Sequence, residues 1–277
     1  MDIKKLTYYC FDFDDNLLHM NTKIHIEKLI NDKWIFKKIS TSEFSKIREM
    51  KTKWRFPNND DKQAFAEFCD DGPRKENAFY EDSIDALKNG KYAPSWGKFI
   101  ECITEGNIFS IITARGHEPE TIRRVVRYII DNELTKKQKN KMVQNLLMYI
   151  SKFIKNHDTN TPYTFKELTE EYLDTCDFYG VTSKHFKQFF DTDASKPEEA
   201  KEVALKMFTE RVHKFGKRIK AKVHIGFSDD DKGNIETVEK LFKDELSLKF
   251  RGINFNIYDT SNPDKKGGER IKINHNI

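Results

Sequence analysis

The stretch YCFDFDDNLL, residues 9–18, sets three carboxylates directly after an apolar run. Asp12, Asp14 and Asp15 sit so close in the chain that their charges repel. A chain keeps such acids together where something positive stands between them. The run before them, Leu6 to Phe13, is short, apolar and rich in aromatics, which predicts a buried strand ending in acid. The same pattern returns further on. Asn107 to Thr113 (NIFSIIT) predicts a second strand, Lys222 to Ser228 (KVHIGFS) a third and Phe255 to Tyr258 (FNIY) a fourth. Cys176 to Val181 (CDFYGV) is a further candidate.

Helical patterns follow these strands. Ile122, Val125, Val126, Ile129 and Ile130 recur at three and four residues after the second strand. Pro197 to Phe208 (PEEAKEVALKMF) opens with Pro at the first helical position and acids in its first turn. Ile235 to Leu246 follows the third strand. Strands alternating with helices imply an α/β fold, a Rossmann-like and mostly parallel sheet flanked by helices on both faces. Two segments interrupt the alternation. Residues 21–96 are long and polar and carry Trp34, Trp54 and Trp96. A structureless loop of that length does not suit a compact domain, so the expectation is a helical cap insertion. The core is then residues 1–20 and 97–277, with a helical elaboration at about 132–171. Asp264 to Ile277 is expected to be a surface strand or tail.

Composition bounds the alternatives. The 277 residues suit one large domain or a core with an insertion, and 22 Phe supply material for a substantial core. There are 49 basic and 45 acidic residues, and the net charge of +4 is too small to argue nucleic-acid binding by itself. The cysteines Cys10, Cys69, Cys102 and Cys176 form no C-x-x-C pair. That pattern implies reduced thiols in a cytoplasmic compartment, with no zinc site and no disulfide framework. The start, MDIKKLTYYCF, has no continuous apolar region of a secretory signal. No segment is apolar for long enough to cross a membrane.

In open α/β sheets ligands bind beyond the carboxyl ends of the strands, so the polar residues there matter most. In chain order they are Asp12 and Asp14, then Thr113-Ala114-Arg115-Gly116, then Lys196 before the Pro197 helix, then Asp229-Asp230-Asp231. The stretches DFDDN (12–16), IITARG (111–116), SKPEEAK (195–201) and HIGFSDDDKGN (224–234) together resemble the four motifs of the haloacid dehalogenase-like (HAD) superfamily of hydrolases. The resemblance covers about residues 5–20, 97–130 and 175–260.

The resemblance implies a phosphatase, a Mg²⁺-dependent phosphomonoester hydrolase. Asp12 is then the nucleophile that attacks phosphorus and forms an aspartyl-phosphate. Asp14 protonates the leaving oxygen and later activates water. Mg²⁺, which takes hard oxygen ligands, is held by Asp12, by the backbone carbonyl of Asp14 and by one or both of Asp229 and Asp230. It would be the positive charge that the crowded acids need. Thr113 hydrogen-bonds a phosphoryl oxygen, and Lys196 pairs with Asp12 and the phosphate as a point charge. Arg115 and His117 stand beside the second motif, where a substrate contact and a surface or structural role are both open; Arg115 is the candidate substrate contact. At least one of Asp229, Asp230 and Asp231 reads as a plain surface or capping acid, with Asp229 and Asp230 favoured as functional, and Asp15 reads as exposed.

One position departs from the family pattern. The family carries Thr or Val where this chain has Asn16. Asn tolerates unusual turn conformations and can hydrogen-bond nearby backbone. The family's dehalogenase branch lacks the second acid, so Asp14 points to phosphate chemistry. A response-regulator receiver also clusters Asp, Thr and Lys, but its acid pair comes first, whereas here it comes last.

Two other functions use the same core. A nucleic-acid end-processing phosphatase or binding module would draw on Lys46 to Arg55 (KIREMKTKWR), and on Arg123, Arg124 and Arg127 with Lys136, Lys137, Lys139 and Lys141. A non-catalytic scaffold is the third reading, and the intact acids count against it. The leading partner is a phosphorylated small molecule.

Overall fold

The computed structural model describes residues 5–153, 163–190 and 196–273. In chain order the strands are β1 (Lys5–Phe11), β2 (Ile24–Ile30), β3 (Lys33–Ile39), β4 (Trp54–Arg55), β5 (Phe109–Thr113), β6 (Asp177–Gly180), β7 (Lys222–Asp229), β8 (Ile253–Asp259) and β9 (Glu269–Lys272). The helices are α1 (Thr41–Ile47), α2 (Asp61–Ala64), α3 (Asn77–Lys88), α4 (Trp96–Thr104), α5 (Pro119–Asn132), α6 (Lys136–Phe153), α7 (Phe165–Asp174), α8 (Lys184–Phe189), α9 (Pro197–Ile219), α10 (Lys232–Leu241) and α11 (Ser247–Lys249).

All five predicted core strands form. They make a six-stranded sheet ordered β6-β5-β1-β7-β8-β9. Every pairing is parallel except that of β9, which returns antiparallel along β8. The fold is therefore α/β with a mostly parallel sheet and helices on its faces. From β1 the chain builds outward to β5 and β6, then crosses back to build β7 and β8 on the other side. The strand order thus reverses at β1, and a crevice opens at such a point beyond the carboxyl ends.

Burial on both faces explains the near-continuous apolar strands. Leu6, Tyr8 and Cys10 of β1 pack with β7, β8, α9 and α10 in one core. Phe11 packs on the other face with Phe99, Phe109, Ile122 and Phe178. Each fully buried Phe contributes about 1.5–3 kcal/mol. Pro197 does stand in the first turn of α9, but the helix runs eleven residues past Phe208, to Ile219. Its buried side continues through Thr209, Val212 and Gly216.

The insertion departs from its expected helical character. Its centre is a three-stranded antiparallel sheet, β3-β2-β4. Ile24 and Ile26 alternate with less buried neighbours, the two-residue period of a strand. Asn31 and Asp32, both at positive φ, close a two-residue hairpin onto β3. Ile24, Ile26, Ile39 and Phe68 form a separate small core with Phe44, Trp54, Phe56 and Phe65 around it. Helix α3, also within residues 21–96, packs instead in the large core through Phe79, Ala86 and Leu87. The part with its own core is therefore shorter than 21–96.

All four cysteines are free. Burial pushes the thiols of Cys10 and Cys102 well above their ordinary value, and that of Cys176 up to about 12. Among the described residues no helix is long and apolar enough to cross a membrane.

Candidate active site

Asp12 follows β1 directly, and its N–H donates to the carbonyl of Ser228 in β7 at 3.0 Å. Asp229 closes β7, and Asp230 comes next. One carboxylate oxygen from each of Asp12, Asp229 and Asp230 lies within 4.8 Å of the others. Lys201 Nζ, itself buried, donates to Asp12 Oδ1 and to Asp229 Oδ2, both at 2.8 Å. Asp229 is held further by the N–H of Asp231 at 3.0 Å and by Asn234 Nδ2 at 3.0 and 3.1 Å. Asp230 makes no hydrogen bond or ion pair among the described residues.

The charges do not balance. Burial pushes the Asp12 carboxyl well above its ordinary range; Lys201 opposes this, while Asp229 and Asp14 add to it. Asp230 is pushed up by burial, then by Asp12, Asp229 and Asp15. Burial works against the charge on Lys201, but Asp12 and Asp229 together outweigh it and hold the ammonium above its ordinary value. Three carboxylates face one ammonium, which leaves two formal negative charges uncompensated. The donors are hard oxygens throughout, and the Asp230 carboxylate is free of protein partners. That set fits a divalent cation of the Mg²⁺ or Ca²⁺ kind.

Asp14 belongs to a different assembly. Arg115 Nη2 donates to Asp14 Oδ1 at 2.6 Å, and Arg115 Nε to Oδ2 at 2.7 Å, a two-pronged pair. The guanidinium is 1% exposed and lies between the rings of Phe68 and Phe79, 4.4 and 5.1 Å from their centroids. Arg115 Nη2 also donates to Thr22 Oγ1 at 2.8 Å, and Thr22 donates to Asp82 Oδ2 at 2.6 Å. Arg115 Nη1 faces His117 Nε2 at 3.3 Å, so that nitrogen accepts and Nδ1–H donates to Asp70 Oδ1 at 2.7 Å. Burial and the charge of Arg115 pull the His117 imidazole below its ordinary value, against Asp70. Asp70 lies below the usual carboxylate range because His117, the Glu118 N–H and Thr121 outweigh its burial. Gly180 permits this turn: a side chain there would meet the carbonyls of His117 and Arg115 at 2.2 and 2.9 Å.

Asn16 braces the loop between the two assemblies. Its Nδ2 donates to Asp12 O at 2.8 Å and to Ser228 Oγ at 3.0 Å. Its Oδ1 accepts from Thr260 Oγ1 at 2.8 Å. Three strand ends, those of β1, β7 and β8, are thereby tied by one fully buried amide. Asp15 takes φ +52°. Contrary to expectation it is not exposed, because its carboxylate accepts from Thr41 Oγ1 at 2.6 Å and meets His19 Nδ1 at 2.8 Å. A second contact joins the insertion to the acids, Arg48 Nη1 to Asp231 Oδ2 at 2.9 Å. Asp231 also caps α10 by accepting from the N–H groups of Gly233 and Asn234.

The predicted residues separate into two groups. Asp12, Asp229 and Asp230 come together. Lys196 does not join them: it is exposed at the N-cap of α9. The lysine in the site is Lys201, a turn and a half along the same helix. It stands on the apolar stripe of Ala200, Ala204, Leu205 and Phe208. A lysine inside a buried stripe was the signal for it. The side chain of Asp14 turns into Arg115, outside the carboxylate cluster. Arg115 spends its N–H groups on Asp14, Thr22 and His117, which is the structural one of the two roles open to it. Thr113 is buried at the end of β5, where its Oγ1 accepts from Arg115 N at 3.4 Å.

The arginines of the basic stretches are committed too. Arg123 pairs with Glu170 and Asp174, and Arg127 with Glu170. Lys141 meets Glu105, and Arg124 lies over Tyr80. In the insertion Arg55 pairs with Glu27 and stacks on Trp34, and Lys28 lies over Trp54. Trp96 stacks on Tyr92 against the large core.

Fold and site define a doubly wound α/β protein with a lysine-bridged acid cluster at the carboxyl end of its central strands. Comparison with protein-family models, curated proteins and solved structures finds no match to the chain.

Proposed function

We propose that the protein is a divalent-metal-dependent phosphomonoester hydrolase of the haloacid dehalogenase-like type, with Asp12 as its nucleophile. The supporting observation is the meeting of Asp12, Asp229 and Asp230 within 4.8 Å, bridged by Lys201, where the strand order reverses. Residues 217 positions apart converge there on a net negative charge. Asp12, Asp229 and Asp230 would hold the cation, which would neutralise the phosphate and the acids together. Lys201 orients the attacking carboxylate through Oδ1 and leaves Oδ2 free. Asp14 serves the leaving oxygen, and for that one of its two bonds from Arg115 has to give way. The insertion, joined to the acids through Arg48–Asp231 and Thr41–Asp15, limits water at the site and selects the substrate.

The test is phosphate release from nitrophenyl phosphate, sugar phosphates, nucleotides and phosphorylated oligonucleotides, with and without Mg²⁺. Release is expected to require the metal and to fall on the order of 10⁴-fold or more in Asp12→Asn. Activity that survives Asp12→Asn, or no release from any substrate, overturns the reading.

A further inference from the structure

We propose that a second site, at the amino-terminal end of the sheet, binds a nucleotide-like organic polyphosphate. A cleft of about 330 Å³ lies between the end of α9, the start of β7 and the turn before β8. That volume is in the range of small-ligand sites. Lys217, Lys220, Lys222 and Arg251 stand around it, and no Asp or Glu lines it. None of the four is in an ion pair among the described residues. Neighbouring lysines on α9 behave differently: Lys206 pairs with Glu245 and Lys214 with Glu210.

The helix end does not explain the cluster. Cations in the last turn of a helix offset its carbonyls, which accounts for Lys217 and Lys220. Lys222 opens β7 and Arg251 precedes β8, so both come from other elements. Four like charges around one cleft repel, and an anion with several phosphates is their complement. The floor suits the other half of such a ligand. Val223 and Ile253 are buried beneath the cleft, and the His213 ring, packed against Phe250, stands at its side. Gly252 takes φ +94°, so the chain turns there with no side chain across the mouth.

This site is separate from the acid cluster. Lys222 and Asp229 are the two ends of β7, roughly 23 Å apart along a strand. Without metal the acid cluster repels the same anion, so the two sites respond differently.

The experiment is calorimetric titration of ATP into the wild-type chain in EDTA. Binding is expected, weakened at least about tenfold, or 1.4 kcal/mol, in Lys222→Gln/Arg251→Gln and again in Lys217→Gln/Lys220→Gln. It is expected to be unchanged in Lys62→Gln/Lys187→Gln, two lysines outside the cleft, and in Asp12→Asn. Circular dichroism checks that each variant is folded; all six substituted positions other than Asp12 are exposed. Inorganic triphosphate and adenosine alone are each expected to bind more weakly than ATP. No binding, indifference to the cleft substitutions, or loss in Asp12→Asn overturns the proposal. So does equal binding of inorganic triphosphate, which reads bare charge, or tighter binding of a single-stranded oligonucleotide, which reads an extended partner. Absence of phosphatase activity leaves each of these outcomes decisive.

Discussion

Two carboxylates separated by one residue, Asp12 and Asp14, meet opposite surroundings. On the β7 side Asp12 shares one ammonium, that of Lys201, with Asp229, while Asp230 presses in without a partner. On the β5 side Asp14 has a whole guanidinium on its two oxygens, held by Thr22, His117 and two aromatic rings. The density of acid is similar; the number of fixed cations is not. One side is electrically closed and the other asks for a positive charge from outside. A string of acids in a sequence therefore says less about metal binding than the cations that the fold brings to each acid.

Removing each side's cation is the strongest way to break this contrast. Arg115→Met strands the half-buried Asp14 carboxylate and leaves Thr22 without its donor. It is expected to cost about 3–5 kcal/mol in urea unfolding, with no relief from Mg²⁺. Asp14→Asn/Arg115→Met is expected to lose less than the two single changes summed. Lys201→Met is expected to cost about 3 kcal/mol in EDTA and measurably less in Mg²⁺, because an added cation takes over part of the ammonium's role. Equal sensitivity of the two variants to Mg²⁺ would erase the distinction.

The pH dependence sharpens the contrast, because the two sides slope in opposite directions. Asp12 and Asp230 are raised above the ordinary 3.8. The folded state then keeps protons that the unfolded chain releases, and stability falls as pH rises from about 4 through the raised values. His117 is lowered from 6.5. The unfolded chain takes up that proton first, so this contribution is present above about pH 6.5 and is lost as pH falls through the folded value. Asp70, lowered from 3.8, adds a further loss at more acid pH. Each slope is at most about 1.4 kcal/mol per pH unit for one proton. Urea unfolding in EDTA across this range is expected to show the alkaline fall reduced in Asp230→Asn and the acid fall reduced in His117→Gln. Added Mg²⁺ is expected to flatten only the alkaline arm. A Mg²⁺ effect on the acid arm would tie His117 to the metal side.

The sheet was legible because parallel strands buried on both faces are continuous apolar runs, and four stood out between helical repeats, while β6, only alternately buried, gave a weaker signal. The acids at their ends were legible for the same reason, since a strand end is where the apolar run stops. The insertion was not. Its strands β2 and β3 are half-exposed, with Phe36 and Ile35 facing outward, so their two-residue period is blurred by polar and apolar residues alike. The lysine was missed by five positions. Lys196 stands where the strand-end rule looks, whereas Lys201 is one of several lysines on a long helix. Only the burial of Ala200, Ala204 and Leu205 beside it turns it inward. Arg115 was seen, but its role was left open between substrate and structure, because its partners Asp14, Thr22 and Phe68 lie 47 to 101 positions away in the chain.

The smallest effect tests the joint between the two sides. Asn16 is the one position where the motif departs from the resemblance, and its amide is what ties Asp12 O, Ser228 and Thr260 together. Thr carries one hydroxyl and is shorter, so Asn16→Thr cannot make all three bonds. A buried group left unpaired costs about 1–3 kcal/mol, and the Thr260 hydroxyl can turn to another acceptor. The expected loss is therefore about 1–2 kcal/mol in urea unfolding, smaller than either cation removal. Because Asn16 donates to the carbonyl of Asp12 and not to its carboxylate, the affinity for Mg²⁺ is expected to change less than in Asp230→Asn. A substitution that leaves stability untouched would mean that the three strand ends hold without the brace, and that Thr would serve this chain equally well.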